Sequence, residues 1–293
     1  MIYDIRHVTT YRYETPVSFA RCTLRLAPRN GNGQRVFDSG VDVTPPPSAR
    51  SSRTDFFGNR VETLTVETSH RELRIVALSR VEVERPPSPH VALTPHWEQV
   101  KQAAAGSQSL APDAPAHFLY RSRLVPMIES ITDYTRTSFS AGRPILEAAA
   151  DLMVRIRKEF DYDPEATAVT TPVEEAFRRR GGVCQDFAHI MVSGLRGIGI
   201  PAAYVSGYIR TIPPPGKPRL EGADASHAWV SVWCGDEFGW HDLDPTNALH
   251  VGNDHIVLAV GRDYADVSPI DGVILGSGGQ KLAVSVDVAP VKG

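Results

Sequence analysis

The 293-residue sequence predicts an α+β fold, an N-terminal antiparallel β-sandwich followed by a core in which helices come first and an antiparallel sheet second. Three observations carry this. Apolar and charged residues alternate through the first 84 or so positions. The period then becomes helical, with Pro86-Pro87-Ser88-Pro89 standing at the change. Alternation returns from Ala202 onward. The expected boundaries are residues 1–85 for the sandwich, 86–142 for a linker and helical region, and 143–293 for the core. With 42% hydrophobic residues, the chain is long enough to bury the cores of about two domains.

In chain order, Tyr3, Ile5, Tyr11 and Tyr13 point one way while Asp4, Arg6 and Arg12 point the other, which is a strand. Cys22 to Leu26 repeats the pattern, and Pro28 to Gly33 is a turn-rich break. Gly58 and Asn59 tolerate positive φ, so Asp55 to Arg60 is a turn between strands. Leu73, Ile75, Ala77, Val81 and Val83 alternate with Arg74, Arg80, Glu82 and Glu84 along a further strand.

Short helices are expected over 95–105, 113–122 and 126–139, and a longer one from Pro144 to Phe160, where Ile145, Ala149, Leu152, Ile156 and Phe160 line one face. Thr171-Pro172-Val173-Glu174 reads as a capping box with proline at the first helical position, opening a helix through Arg180. Arg178-Arg179-Arg180 reads as its solvated end, favoured by the dipole, though an acidic substrate can exploit it. The next helix runs from Cys184 to Gly197 and Gly199 and stops at Pro201. Core strands are expected at 203–209, 227–233, 240–243, 255–260 and 281–288. Pro213 to Pro218 is expected as an exposed loop and a candidate rim for substrate, and Gly276 to Gly279 as a turn before the last strand.

Composition narrows the function. A net charge of −3, without basic runs interleaved with aromatics, argues against nucleic acid as a partner. No apolar leader opens the sequence, and no stretch approaches eighteen apolar residues, so the expectation is a soluble cytoplasmic protein with no membrane partner. Cys22, Cys184 and Cys234 are too few and too scattered for a disulfide framework.

The chemistry centres on Gly181-Gly182-Val183-Cys184-Gln185-Asp186-Phe187. Cys184 falls at a helix N-terminus, where unpaired N–H groups and the positive end of the dipole favour a thiolate. The glycines leave its sulfur uncovered. Downstream, His227 and Asp244 can serve as base and orienting carboxylate, with the hairpin turn Gly235 to Gly239 setting their strands side by side. Asp242 competes with Asp244 because both lie on one face of a strand. The Cys184 backbone N–H is a candidate oxyanion donor, and Gln185, Trp229 and Trp240 are candidates for the substrate groove. The three tryptophans Trp229, Trp233 and Trp240 are most simply core. His189 turns to another side of its helix and reads as structural. The spacings of Cys184, His189, His227, Cys234 and His241 match no zinc signature, so no metal and no cofactor is expected.

The Gly181-Gly182-x-Cys184-x-Asp186-Phe187 stretch, the strand from Ser226 to Trp233, and the Gly239-Trp240 … Leu243-Asp244-Pro245-Thr246 strand resemble the transglutaminase-like superfamily of bacterial proteins. The first 84 residues resemble the β domain that precedes that core in bacterial members. The resemblance implies a papain-like core, a triad of Cys184, His227 and Asp244, and acyl-thioester chemistry on a peptide or protein substrate. No acidic loop resembles the calcium sites of the animal cross-linking enzymes. Hydrolysis is slightly favoured over cross-linking of glutamine to a primary amine. A non-catalytic peptide-binding module is the reading from another class, and the oligomeric state is open.

Overall fold

The computed structural model describes residues 1–211 and 225–291. The N-terminal region holds strands β1 (Ile2–Val17), β2 (Phe19–Leu24), β3 (Gln34–Thr44), β4 (Ala49–Thr54), β5 (Arg60–Val66) and β6 (His70–Val83). Then come α1 (Trp97–Gly106), α2 (Glu129–Arg136), α3 (Ile145–Glu159), β7 (Asp161–Tyr162), α4 (Val173–Arg179), β8 (Gly181–Gly182) and α5 (Cys184–Gly197). The remainder is β9 (Ala202–Ile209), β10 (Ala225–Trp233), β11 (Trp240–Asp244), β12 (Leu249–His250), β13 (His255–Gly261), α6 (Tyr264–Val267), β14 (Ile270–Leu275) and β15 (Gln280–Pro290). This is the expected α+β arrangement. No helix among the described residues is long and apolar enough to cross a membrane.

One expectation fails at the C-terminus. Strands β14 and β15 do not join the core sheet, whose order is β12-β11-β10-β9-β13. Instead β15 pairs antiparallel with β1, and β14 with β2, so the last strands complete the two four-stranded sheets β15-β1-β6-β3 and β14-β2-β5-β4. The core therefore does not extend to residue 293 as the sequence boundary had it. Alternation identifies a strand but carries no address for its partner.

The sheet containing β1 serves two layers with one face. Tyr13, Val17, Leu73 and Ile75 pack against Leu24, Leu64 and Val66 of the second sheet. Further along the same face, Tyr3, Ile5, Val81, Val83, Val286 and Val288 pack against Tyr208, Ile256 and Leu258 of the core. Between these contacts the face is left partly open, and the candidate site lies there.

Two buried amides seal the junction. β13 is an edge strand of the core sheet, with backbone groups that need partners. The Gln34 side chain donates to the Val257 carbonyl (2.9 Å) and accepts from the Val257 N–H (2.8 Å). Asn59 does the same with Val260 at 2.8 and 2.9 Å.

In the core, α5 is buried on nearly every side, and Phe187, Ile190, Met191 and Leu195 join one cluster with α3 and the β10 strand. Its C-terminal end is held by buried Arg196, which donates to the carbonyls of Ala202, Tyr120 and Arg262. Burial lowers that guanidinium to about 10.

Smaller departures have local causes. Over 113–122 only the short 3₁₀ turn Pro115–Phe118 forms. Pro144 caps α3 rather than sitting inside it. The predicted capping box does not form, because Pro172 itself is the N-cap of α4 and the Thr171 hydroxyl accepts from the Ala168 N–H. Arg178 and Arg179 are exposed, as a solvated helix end requires, whereas Arg180 is half-buried. It adopts positive φ and lies over the rings of Tyr134, Phe160 and Phe177 at 4.9, 4.6 and 4.4 Å. The loop Pro213 to Pro218 lies outside the described residues.

Candidate active site

Cys184 is the first residue of α5, and its N–H is one of those a helix start leaves without an intrahelical acceptor. The turn before it is set by Asp186, whose Oδ2 accepts from the Val183 N–H (2.9 Å) and the Thr167 hydroxyl (2.6 Å). Only glycine fits at position 182, since a Cβ there would lie 2.5 Å from Asp186 Oδ2. The parallel pair β7–β8 sets Tyr162 beside Gly182, with its ring packed edge-on against Phe187 of α5.

His227 on β10 meets both partners. Its Nε2 lies 2.8 Å from Asp244 Oδ2, on the neighbouring strand β11, and Cys184 lies near enough for its charge to act on the ring. Nε2 is committed to Asp244, which leaves Nδ1 as the ring nitrogen for the thiol. Burial alone would lower the imidazolium, but the Asp244 hydrogen bond and the charges of Asp244 and Cys184 outweigh it and push His227 up to about 9. Asp244 is fully buried. Burial would raise its carboxyl, yet hydrogen bonds from His227, His255 and Asn247 hold it well below the usual carboxylate range. Its second oxygen accepts from the N–H groups of Thr246 (2.9 Å) and Asn247 (3.2 Å).

Cys184 opens into a cavity of about 490 Å³. Gln185 and Ser226 share its core wall, and side chains of β1 and β15 form the opposite wall. Cys184 is partly exposed, whereas Cys22 and Cys234 are buried and burial pushes their thiols up, to about 11 for Cys22 and further for Cys234. The geometry brings together the parts that thiol chemistry needs: a partly exposed cysteine, a buried histidine held by a carboxylate, and an open cavity.

Two family models match the chain, the bacterial transglutaminase-like N-terminal region over residues 3–82 and the transglutaminase-like superfamily over residues 132–245. An uncharacterised protein of Mycobacterium tuberculosis is 39% identical over 299 residues, covering 99% of this chain and 93% of its own. The chain belongs to the transglutaminase-like superfamily. An uncharacterised Mycobacterium leprae protein is 32% identical over 96% of both chains. A protein-glutamine gamma-glutamyltransferase of Pseudomonas aeruginosa is 33% identical over 124 residues, 36% of this chain and 18% of its own length. Among solved structures, a provisionally named cysteine protease from Cytophaga hutchinsonii superposes with TM-score 0.75 at 20% identity, over 100% of this chain and 92% of that one, which shows a shared fold. Membership places the chain among thiol-dependent acyl-transfer and hydrolytic enzymes at the level of the superfamily.

The transglutaminase-like core gathers Cys184, His227 and Asp244 but not every residue singled out in the sequence. Gln185 lines the cavity, and its amide is engaged with the Val169 carbonyl at 3.0 Å. Trp229 and Trp240 do not line it. Trp229 is wholly buried, its ring lying so close over Gly207 that a Cβ there would meet it at 2.4 Å. Its indole N–H donates to Asp242 (3.1 Å), which occupies the competing carboxylate. Trp240 walls a separate cavity and donates to the Asp113 carbonyl. His189 is buried against Tyr204 and accepts from the Tyr264 N–H.

The residues that sequence reasoning missed are His255, Asn247, Tyr162 and Tyr204. His255 Nε2 lies 3.2 Å from Asp244 Oδ2. Tyr162 and Tyr204 feel the charge of Cys184, and burial first, then that charge, raises both phenols. No spacing rule links these positions to Cys184. Among the described residues, His227, Asp244 and His255 offer ligand atoms within 4.8 Å of one another. A metal seated there would have to break the His227–Asp244 hydrogen bond that orients the base.

Proposed function

We propose that this protein is a cysteine amide hydrolase that opens an amide or peptide bond through a thioester on Cys184. The observation that carries the reading is buried His227, hydrogen-bonded to Asp244 at 2.8 Å, lining one cavity with partly exposed Cys184. The Cys184 thiolate attacks the carbonyl carbon, and the oxyanion that forms takes up the Cys184 N–H. Collapse of this intermediate breaks the C–N bond as imidazolium His227 gives its proton to the departing amine. Water then attacks the thioester, neutral His227 accepts its proton, and the thiolate leaves with the imidazolium restored. Asp244 keeps the ring oriented throughout.

Water is favoured as acceptor because the described residues lining the cavity offer a cationic amine no carboxylate to pair with. Transfer to a primary amine is the second reading, favoured by the similarity to the Pseudomonas aeruginosa protein-glutamine gamma-glutamyltransferase. A glutamine-containing peptide library, with and without a tagged amine, separates them. Cleavage or deamidation without amine incorporation, absent in Cys184→Ala, is the expected result. Incorporation lost in the same variant would assign the transferase reaction, and neither activity would leave the binding-module reading.

A further inference from the structure

The cavity at Cys184 has a second wall that comes from far away in the chain. In the β1–β15 ladder, Thr9 pairs with Val284 and Tyr11 with Leu282, and these four side chains face the cavity. The strand that supplies half of this wall ends the chain and belongs to the sheet of the N-terminal region. Leu282 and Val284 stay 57% and 51% exposed, although the next two residues on the same face, Val286 and Val288, are buried against the core. Half-exposed apolar side chains in register across a cavity from Cys184 leave part of their apolar surface uncovered in the free protein. No Asp, Glu, Lys or Arg is among the described lining residues. A cavity of about 490 Å³ falls within the range that encloses small ligands or a short peptide segment.

We infer that the β1–β15 wall is the specificity surface of the enzyme, selecting an apolar side chain next to the attacked carbonyl and disfavouring an acidic one. Leu282 and Val284 contact that side chain, with Tyr11 and Thr9 behind them. The burial that β15 forgoes in the free protein is recovered when substrate covers it, so binding energy is tied to this choice. The inference rests on the proposed role of Cys184 as nucleophile and adds the class of substrate. It also gives the N-terminal sheet a part in recognition.

The test uses three thiol reagents on the whole protein, iodoacetamide, N-isobutyl iodoacetamide and N-iodoacetyl aspartate. Rates are normalised to glutathione, and modification is mapped to Cys184 by mass spectrometry. The apolar reagent is expected to modify Cys184 about tenfold faster than the acidic one. In a Leu282→Lys, Val284→Lys double variant that preference, read as the ratio of the two tailed reagents' rates, is lost or reversed. Ala283→Asp, on the opposite face of the same strand, keeps the preference. Should the double variant fail to fold, Val284→Thr retains shape and is expected to reduce the preference about threefold. Equal rates for the two tailed reagents in the wild type, or a preference that survives at both positions, would overturn the wall while leaving the nucleophile intact. Iodoacetamide labelling of Cys184 no faster than that of Cys22 and Cys234 would instead overturn the nucleophile, and the wall with it.

Discussion

His255 Nε2 lies 3.2 Å from Oδ2 of Asp244, the same oxygen that His227 Nε2 reaches at 2.8 Å. Asp244 is thus held by an imidazole from β13 as well as by the one on β10, and Asn247 adds a third donor at 2.8 Å. A carboxylate fixed on several sides cannot swing away, so the ring it orients cannot either. To donate, His255 carries its proton on Nε2, and its buried Nδ1 has no partner among the described residues. His255→Leu is expected to lower kcat/KM about tenfold, the loss appearing mainly in kcat, with His255→Gln recovering part of it through its amide donor. Equal activity in His255→Leu and wild type, by steady-state kinetics, would remove His255 from the site.

Asp244→Asn offers the imidazole an amide in place of a charge. Its effect should approach about 10⁴-fold in kcat with little change in KM, as expected when the wrong tautomer is favoured. Stability measured by urea unfolding should fall less than activity, because Asn retains an acceptor for the Thr246 and Asn247 N–H groups.

The raised pKa of His227 sets the alkaline limit. Acylation requires the imidazolium, so kcat/KM should hold through neutral pH and decline as pH rises through about 9. Asp244→Asn removes a cause of the rise and should move that decline to lower pH. The stability contribution has the same sign. A group raised from 6.5 to about 9 stabilises fully below pH 6.5 and loses its contribution as pH climbs through 9.

Acid acts through two other histidines. Burial lowers His7 and His189 to about 4, and each is engaged while neutral, His7 with Tyr208 and Thr9, His189 with the Tyr264 N–H. Depressed bases bind fewer protons folded than unfolded between pH 6.5 and about 4. Their contribution, about 3 kcal/mol each at most, is present above 6.5 and lost as pH falls toward 4. Urea midpoints should drop across that interval, and His189→Gln should flatten the slope.

Gly182→Ala tests how the nucleophile is seated. The new Cβ would lie 2.5 Å from Asp186 Oδ2, forcing away the carboxylate that caps Val183. A loss of about 1–3 kcal/mol by thermal unfolding is expected, together with slower iodoacetamide labelling of Cys184. Unchanged labelling would mean that the start of α5 does not depend on this contact.

What the sequence determined by itself is local. Periodicity marked the strands and helices, the glycine pair and the apolar spacing after it marked the start of α5 at Cys184, and a short hairpin put His227 and Asp244 on adjoining strands. These features depend on neighbours within a few residues, or on a turn whose length sets register. The tertiary structure decided the rest. It sent β15 back across more than two hundred residues to β1, seated His255 on Asp244 and buried Trp229 over Gly207. It also made Leu282 and Val284 a wall opposite Cys184. A strand's alternation says that one face is apolar but not which surface will cover it, and that choice is made only when distant apolar faces and backbone edges find partners together.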